Sequence, residues 1–175
     1  MSPASFEWPW QYNFPPFFTI QPNSDTKAKQ IDAWCQLVIN YHKHHSKSTL
    51  RVADVQSSPL FYNKTIDRKL SHEAVIEILN TLHKKGNLEW TDKAKTTCTI
   101  IWKTVDQWAD LIYAWIFQNG MVNTVFTIFE LCHGEESANQ EFHGIEDEIF
   151  LKALRVLENR RKAELIGNDG IKFFM

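Results

Sequence analysis

The stretch Ile31-Asp32-Ala33-Trp34-Cys35-Gln36-Leu37-Val38-Ile39-Asn40-Tyr41 returns later, in new letters but the same pattern, as Val105-Asp106-Gln107-Trp108-Ala109-Asp110-Leu111-Ile112-Tyr113-Ala114-Trp115. In both, the main apolar positions fall three and four residues apart, the spacing of one face of an α-helix. The offset is 74 residues. A second helical pattern follows each copy: Val75, Ile78, Leu79 and Leu82 match Phe150, Ala153, Leu154 and Leu157 at offset 75. Leu88-Glu89 then matches Ala163-Glu164 at the same offset. Amphipathic helices resemble one another, but three elements at a nearly constant offset describe an internal repeat.

Working outward gives the elements of each copy. The first helix is predicted over Asp25 to about Lys47, with Ser24 or Asp25 as N-cap. A short strand follows at Thr49–Val52, then Ser57-Ser58-Pro59 interrupts. A second helix is predicted over Ser71–Lys85, with Glu73 in its first turn and Lys84-Lys85-Gly86 at its end. Asn87–Trp90 and Thr97–Trp102 form a hairpin around a polar turn. The second copy repeats this order: a helix over Val105–Asn119 stopped by Gly120, a strand at Val125–Thr127, a helix over Glu146–Arg161, and a hairpin of Ala163–Gly167 with Ile171–Phe174. Helix, short strand, helix and two-stranded hairpin in some 75 residues is the winged-helix arrangement. The expected fold is therefore α+β, mainly α: an arm over 1–22, a winged-helix domain over 23–103 and a second over 104–175. Domains this small bury only about 60% of their unfolded surface, so the two are expected to pack on each other.

Composition narrows the function. Hydrophobic residues make up 43% of 175, enough for real cores, and the net charge of −2 gives no general pull toward nucleic acid or anionic lipid. The cysteines, Cys35, Cys98 and Cys132, are odd in number and widely spaced, which does not read as a disulfide framework and suits a reducing compartment. No apolar run approaches the roughly 20 residues that span a bilayer, and no secretory signal is evident. A soluble cytoplasmic protein is expected, with membrane contact made only through partners.

Winged helices often read DNA through the start of their second helix. Here those starts carry Glu73 and Glu77, and Glu146, Asp147 and Glu148, which repel phosphate. A nucleic-acid-binding or transcription-associated subunit is thus the alternative reading, and no direct nucleic-acid partner is expected. His42, His44 and His45 cluster at a helix end, and Cys132-His133 and His143 share a loop, but no zinc-type quartet forms, so no metal or cofactor is expected. With no glycine-rich phosphate loop and no nucleophile elbow, the chain does not read as an enzyme.

The arm is the informative segment. Five of the six prolines (Pro3, Pro9, Pro15, Pro16, Pro22) lie in its 22 residues, with aromatics alternating at Phe6, Trp8, Trp10, Tyr12 and Phe14. That pattern reads as an extended, partly polyproline-like strip. Phe6 to Tyr12 is expected to lie over the first domain. Pro15-Pro16-Phe17-Phe18 is expected to reach another chain, because adjacent extended residues face opposite ways and one ring is left to fill a partner's pocket.

The blocks Phe6-Glu7-Trp8-Pro9-Trp10-Gln11-Tyr12, Phe14-Pro15-Pro16-Phe17-Phe18-Thr19 and Gln21-Pro22-Asn23 resemble the N-terminus of the smallest subunit of the ESCRT-II complex, in its animal form. Ser58-Pro59-Leu60-Phe61, Lys84-Lys85-Gly86-Asn87-Leu88-Glu89-Trp90 and Glu141-Phe142-His143-Gly144 extend the resemblance along the chain. It implies a scaffold subunit present twice in a Y-shaped complex that sorts ubiquitinated cargo into multivesicular bodies, recruited to endosome membranes, with a nuclear pool left open. It implies that Pro15, Pro16, Phe17 and Phe18 dock on the two other ESCRT-II subunits. It also implies that the second domain recruits the initiating subunit of ESCRT-III. Fungal members end the motif in tyrosine; Phe18 keeps the ring and loses the hydroxyl. No motif marks the second domain's contacts. The exposed faces of Glu146–Arg161 and of the last hairpin, with Lys152, Arg155 and Lys172, are the expectation.

Overall fold

The computed structural model describes residues 5–175, so Pro3 and the first residues of the arm lie outside the description. The chain forms two compact units, Met1–Trp102 and Lys103–Met175. In unit 1 the order is α1 (Ser24–His45), β1 (Thr49–Arg51), β2 (Tyr62–Asn63), β3 (Arg68–Lys69), α2 (His72–Lys84), β4 (Leu88–Trp90) and β5 (Thr97–Ile100). In unit 2 it is α3 (Val105–Gln118), β6 (Val125–Thr127), α4 (Ile128–His133), α5 (Asp147–Asn159), β7 (Ala163–Ile166) and β8 (Gly170–Phe173).

The helix ends follow from local chemistry. The N-cap of α1 is Asn23, one residue before Ser24 and two before Asp25, the expected caps; its Oδ1 accepts the amides of Asp25 and Thr26 at 3.0 and 3.1 Å. The helix stops where Ser46 turns left-handed, at φ 52°, and its amide reaches back to the His42 and Lys43 carbonyls. Ser71 caps α2 by accepting the Ala74 amide. Thr104 and Gln107 close a reciprocal capping box on α3, as Thr127 and Glu130 do on α4.

Each unit buries the face that the periodicity marks. Trp34, Val38, Val75, Ile78, Leu79 and Leu82 are wholly inside unit 1; Ile112, Phe150, Ala153 and Leu154 are wholly inside unit 2. Each large aliphatic or aromatic side chain so buried stabilises its unit by roughly 1.5–3 kcal/mol. The short strand after the first helix of each copy does more than the sequence suggests. It pairs antiparallel with the last strand, giving three-stranded sheets in the order β1-β5-β4 and β6-β8-β7. On the central strands, Cys98 faces Leu50 on one side and Trp90 on the other, and Ile171 likewise faces Phe126 and Leu165. The repeat therefore extends to strand order.

Sequence reading also missed the middle turn of each copy. A 3-10 segment occupies Val52–Ser57 in unit 1, and α4 fills the equivalent place in unit 2. Six residues are too few to show a helical period. Unit 1 has in addition the small β2–β3 hairpin, with Tyr62 opposite Lys69. No helix among the described residues is long and apolar enough to cross a membrane.

Candidate protein-docking site

The arm is not extended past Pro9. Two 3-10 turns, Trp10–Asn13 and Pro15–Phe18, break the alternation. Tyr12 donates its amide to the Pro9 carbonyl at 3.0 Å, and Phe17 donates to Phe14 at 2.9 Å. Pro15 and Pro16 suit the first positions of the second turn, where an amide has no helical partner and a fixed φ is an advantage. With about three residues per turn, side chains no longer alternate between two faces.

The consequence is a different division of the aromatics. Phe6 and Trp8 pack against the core and Tyr12 joins it, as expected of the strip. Phe6 meets Tyr41 edge-on with centroids 5.5 Å apart, and Trp8 stacks on Tyr12 at 3.8 Å. Phe17 and Phe18, by contrast, are both buried, at 6% and 4% exposure. Phe17 stacks on Trp34 with centroids 4.3 Å apart and planes within 5°. Phe18 meets the same indole edge-on at 5.3 Å. The expectation that one of these rings stands free for another chain is therefore corrected. The turn points both inward, where the indole face and edge take one each.

Polar groups fix the turn in place. The Phe17 carbonyl accepts both Trp34 Nε1 and Gln30 Nε2 at 2.9 Å. Gln30 also donates to the Thr19 carbonyl at 2.9 Å, and its Oε1 accepts the Gln21 amide at 3.0 Å. Asn63 Nδ2 donates to the Tyr12 carbonyl at 2.7 Å, and the Tyr12 hydroxyl donates to the Pro59 carbonyl. Burial pushes the Tyr12 phenol up to about 12. Gln30 and Asn63 are buried and bonded, so they satisfy backbone groups that the arm could not satisfy itself. Sequence reading passed over both. Gln30 sits one turn before Trp34 in the apolar stripe of α1, and a polar residue in such a stripe is the signal that marked it.

What remains outside is a compact apolar edge. Trp10 is 70% exposed and Phe14 48%, with ring centroids 5.7 Å apart. Pro15 and Pro16 are exposed beside them. This edge flanks a shallow groove whose other wall is the start of α1, at Lys29 and Ala33. The groove is predominantly apolar, and the two rings along it sit on the two turns, against each other.

In unit 2 the expected contacts separate. Lys152 and Arg155 are exposed one turn apart on α5, and Lys152 pairs with Glu148 at 3.5 Å. Strand alternation places Lys172 on the sheet face opposite Ile171 and Phe173, which are buried. The core of the unit thus lies between Lys172 and the α5 pair. The large exposed apolar side chains of this unit, Phe117, Val125, Phe129, Ile166 and Met175, were not anticipated; Phe129 is 73% exposed.

The repeated sheet order, the paired helices and the absence of a basic start to α2 or α5 define a tandem winged-helix protein with an aromatic edge on its first unit. The model of the ESCRT-II complex subunit family matches residues 11–146. Vacuolar protein-sorting-associated protein 25 of Danio rerio is 54% identical over 173 residues, covering 97% of this chain and 99% of the relative; that of Homo sapiens is 48% identical, covering 97% and 98%. Among solved structures, subunit VPS25 of the endosomal trafficking complex ESCRT-II superposes with TM-score 0.76 at 31% identity, covering 94% of this chain and 97% of that one. The chain belongs to the ESCRT-II subunit family.

Proposed function

We propose that this chain is a non-enzymatic scaffold subunit of ESCRT-II, cytoplasmic and recruited to endosome membranes through its partners. The solved ESCRT-II complex that it resembles at TM-score 0.73 contains VPS22, VPS25 and VPS36. In this reading its first unit joins the two other ESCRT-II subunits, in two copies, and its second unit recruits the ESCRT-III subunit that starts filament assembly. The complex then carries ubiquitinated cargo into multivesicular bodies. The single observation that supports this most is the exposed edge of Trp10, Phe14, Pro15 and Pro16, fixed by a buried polar clamp.

The roles within the motif divide. Pro15 and Pro16 stand at the contact with Trp10 and Phe14. Phe17 and Phe18 act from inside, holding the turn against Trp34. A rigid edge loses little entropy on docking, and aromatic anchors are the residues that most often dominate an interface. In unit 2, Lys152 and Arg155 offer one small basic face to an ESCRT-III partner, and Lys172 belongs to a separate surface.

Capture of the other two ESCRT-II subunits by purified chain tests the first role. Trp10→Ala and Phe14→Ala are expected to weaken capture by about 30-fold or more, the effect of losing about 2 kcal/mol at an anchor. Their circular dichroism stays that of the parent. Undiminished capture by the double variant refutes the assignment of this edge.

A further inference from the structure

Away from the arm, the end of α4 and the start of α5 meet across the loop 134–146. Three features bring them together. Gly134 ends α4 so tightly that a Cβ there would lie 2.2 Å from the Glu130 carbonyl oxygen. The Gly144 amide donates to the Cys132 carbonyl at 2.8 Å, and the Cys132 thiol donates to the Ile145 carbonyl at 3.5 Å. Asp147, the first residue of α5, then reaches His133, with Nε2 and Oδ1 at 3.0 Å. The result is that one donor atom each from Cys132, His133 and Asp147 lies within 4.8 Å of the others.

We propose that Cys132, His133 and Asp147 form a binding site for one zinc-class divalent cation, with water as the fourth ligand. The donor types select the ion. A thiolate with an imidazole and a carboxylate suits zinc, whereas calcium and magnesium take oxygen ligands. Metal–ligand lengths of roughly 2.0–2.3 Å place tetrahedral donors about 3.3–3.7 Å apart. The present spacing needs only small side-chain rotations to reach this, and Asp147, at 88% side-chain exposure, is free to make them. Cys132 is 1% exposed while His133 and Asp147 reach the surface, so solvent meets the triad on the side of these two residues. On binding, the thiol gives its proton to solvent and its sulfur lone pair to the cation. The bound ion ties the last turn of α4 to the first turn of α5 and closes the loop that carries Glu135, Glu136 and Glu141.

Cobalt titration of the full chain tests this, because a cobalt–thiolate bond gives a charge-transfer absorption that oxygen and nitrogen ligands do not. One cation per chain is expected to produce the band, zinc to displace it, and zinc to raise the thermal midpoint of unit 2. Cys132→Ser abolishes the band. His133→Ala and Asp147→Asn, both at exposed positions that leave the fold intact, weaken binding by more than the roughly 10–100-fold seen for loss of an outer-shell group. No band from the parent chain, a band that survives Cys132→Ser, or unchanged affinity in His133→Ala and Asp147→Asn overturns the proposal.

Discussion

Replacing Phe17 by alanine separates the two ways of reading the motif. If the ring were an anchor for another chain, its loss would leave the free subunit as stable as before. The structure sets a different outcome. Phe17 is 6% exposed, lies flat on Trp34 and borders Phe18. Truncating a buried phenylalanine to alanine costs roughly 3–5 kcal/mol, and the aromatic stack accounts for about 0.5–1.5 kcal/mol of such a loss. A unit of this size has a total stability of about 5–15 kcal/mol. At roughly 4–8 °C per kcal/mol, the midpoint of unit 1 falls by at least about 12 °C. Thermal and urea melts followed by far-ultraviolet circular dichroism measure this, with unit 2 as the internal reference. The variant then captures partners poorly in proportion to its unfolded fraction, and recovers capture on cooling. A Phe17→Ala chain that melts within about 1 kcal/mol of the parent yet fails to capture partners at low temperature refutes the inward role of the ring.

Three further outcomes follow from the same structure. Asn23→Ala removes the acceptor for two amides at the head of α1 and lowers stability by about 1 kcal/mol in a urea melt, while Asn23→Gly costs only a few tenths. Burial raises the Cys35 and Cys132 thiols from 9.0 to about 11, Cys98 to about 12 and the Tyr12 phenol from 10.0 to about 12. The unfolded chain therefore sheds these protons first, so stability is complete below pH 9 and declines as pH rises through 11; a set of urea midpoints from pH 7 to 11 that does not fall would contradict this. Duplex DNA titrated at low and moderate salt should show no affinity that falls with salt in the manner of counterion release, since acidic groups head both candidate recognition helices.

Much of the fold was legible because the helices obey one period and the copies share it. Trp34 and Trp108, and the stripes on α2 and α5, are buried where the spacing places them. The third strand of each sheet was not legible as such. Three residues such as Val125–Thr127 read as a strand, but nothing in their letters names β8 as partner. The arm shows the opposite limit. Its period-2 aromatics are a true pattern in the letters, yet the amide of Tyr12 bonding to Pro9 and that of Phe17 to Phe14 fold it into turns. Those short-range bonds reverse which rings face out. The cue lay in Gln30 and Asn63, whose amides are bonded to arm carbonyls far from them in sequence.

That long reach has a bearing on how the subunit is made. The arm leaves the ribosome before the groups that hold it: Gln30 and Trp34 from α1, then Pro59 and Asn63. Trp10 and Phe14 thus take their places only after some fifty further residues have been synthesised and folded beneath them. If the edge is the docking surface proposed above, a nascent or damaged first unit has the letters of the motif without its shape and is expected to be passed over during assembly. Joining a complex would then be, for this chain, an inspection of its own interior.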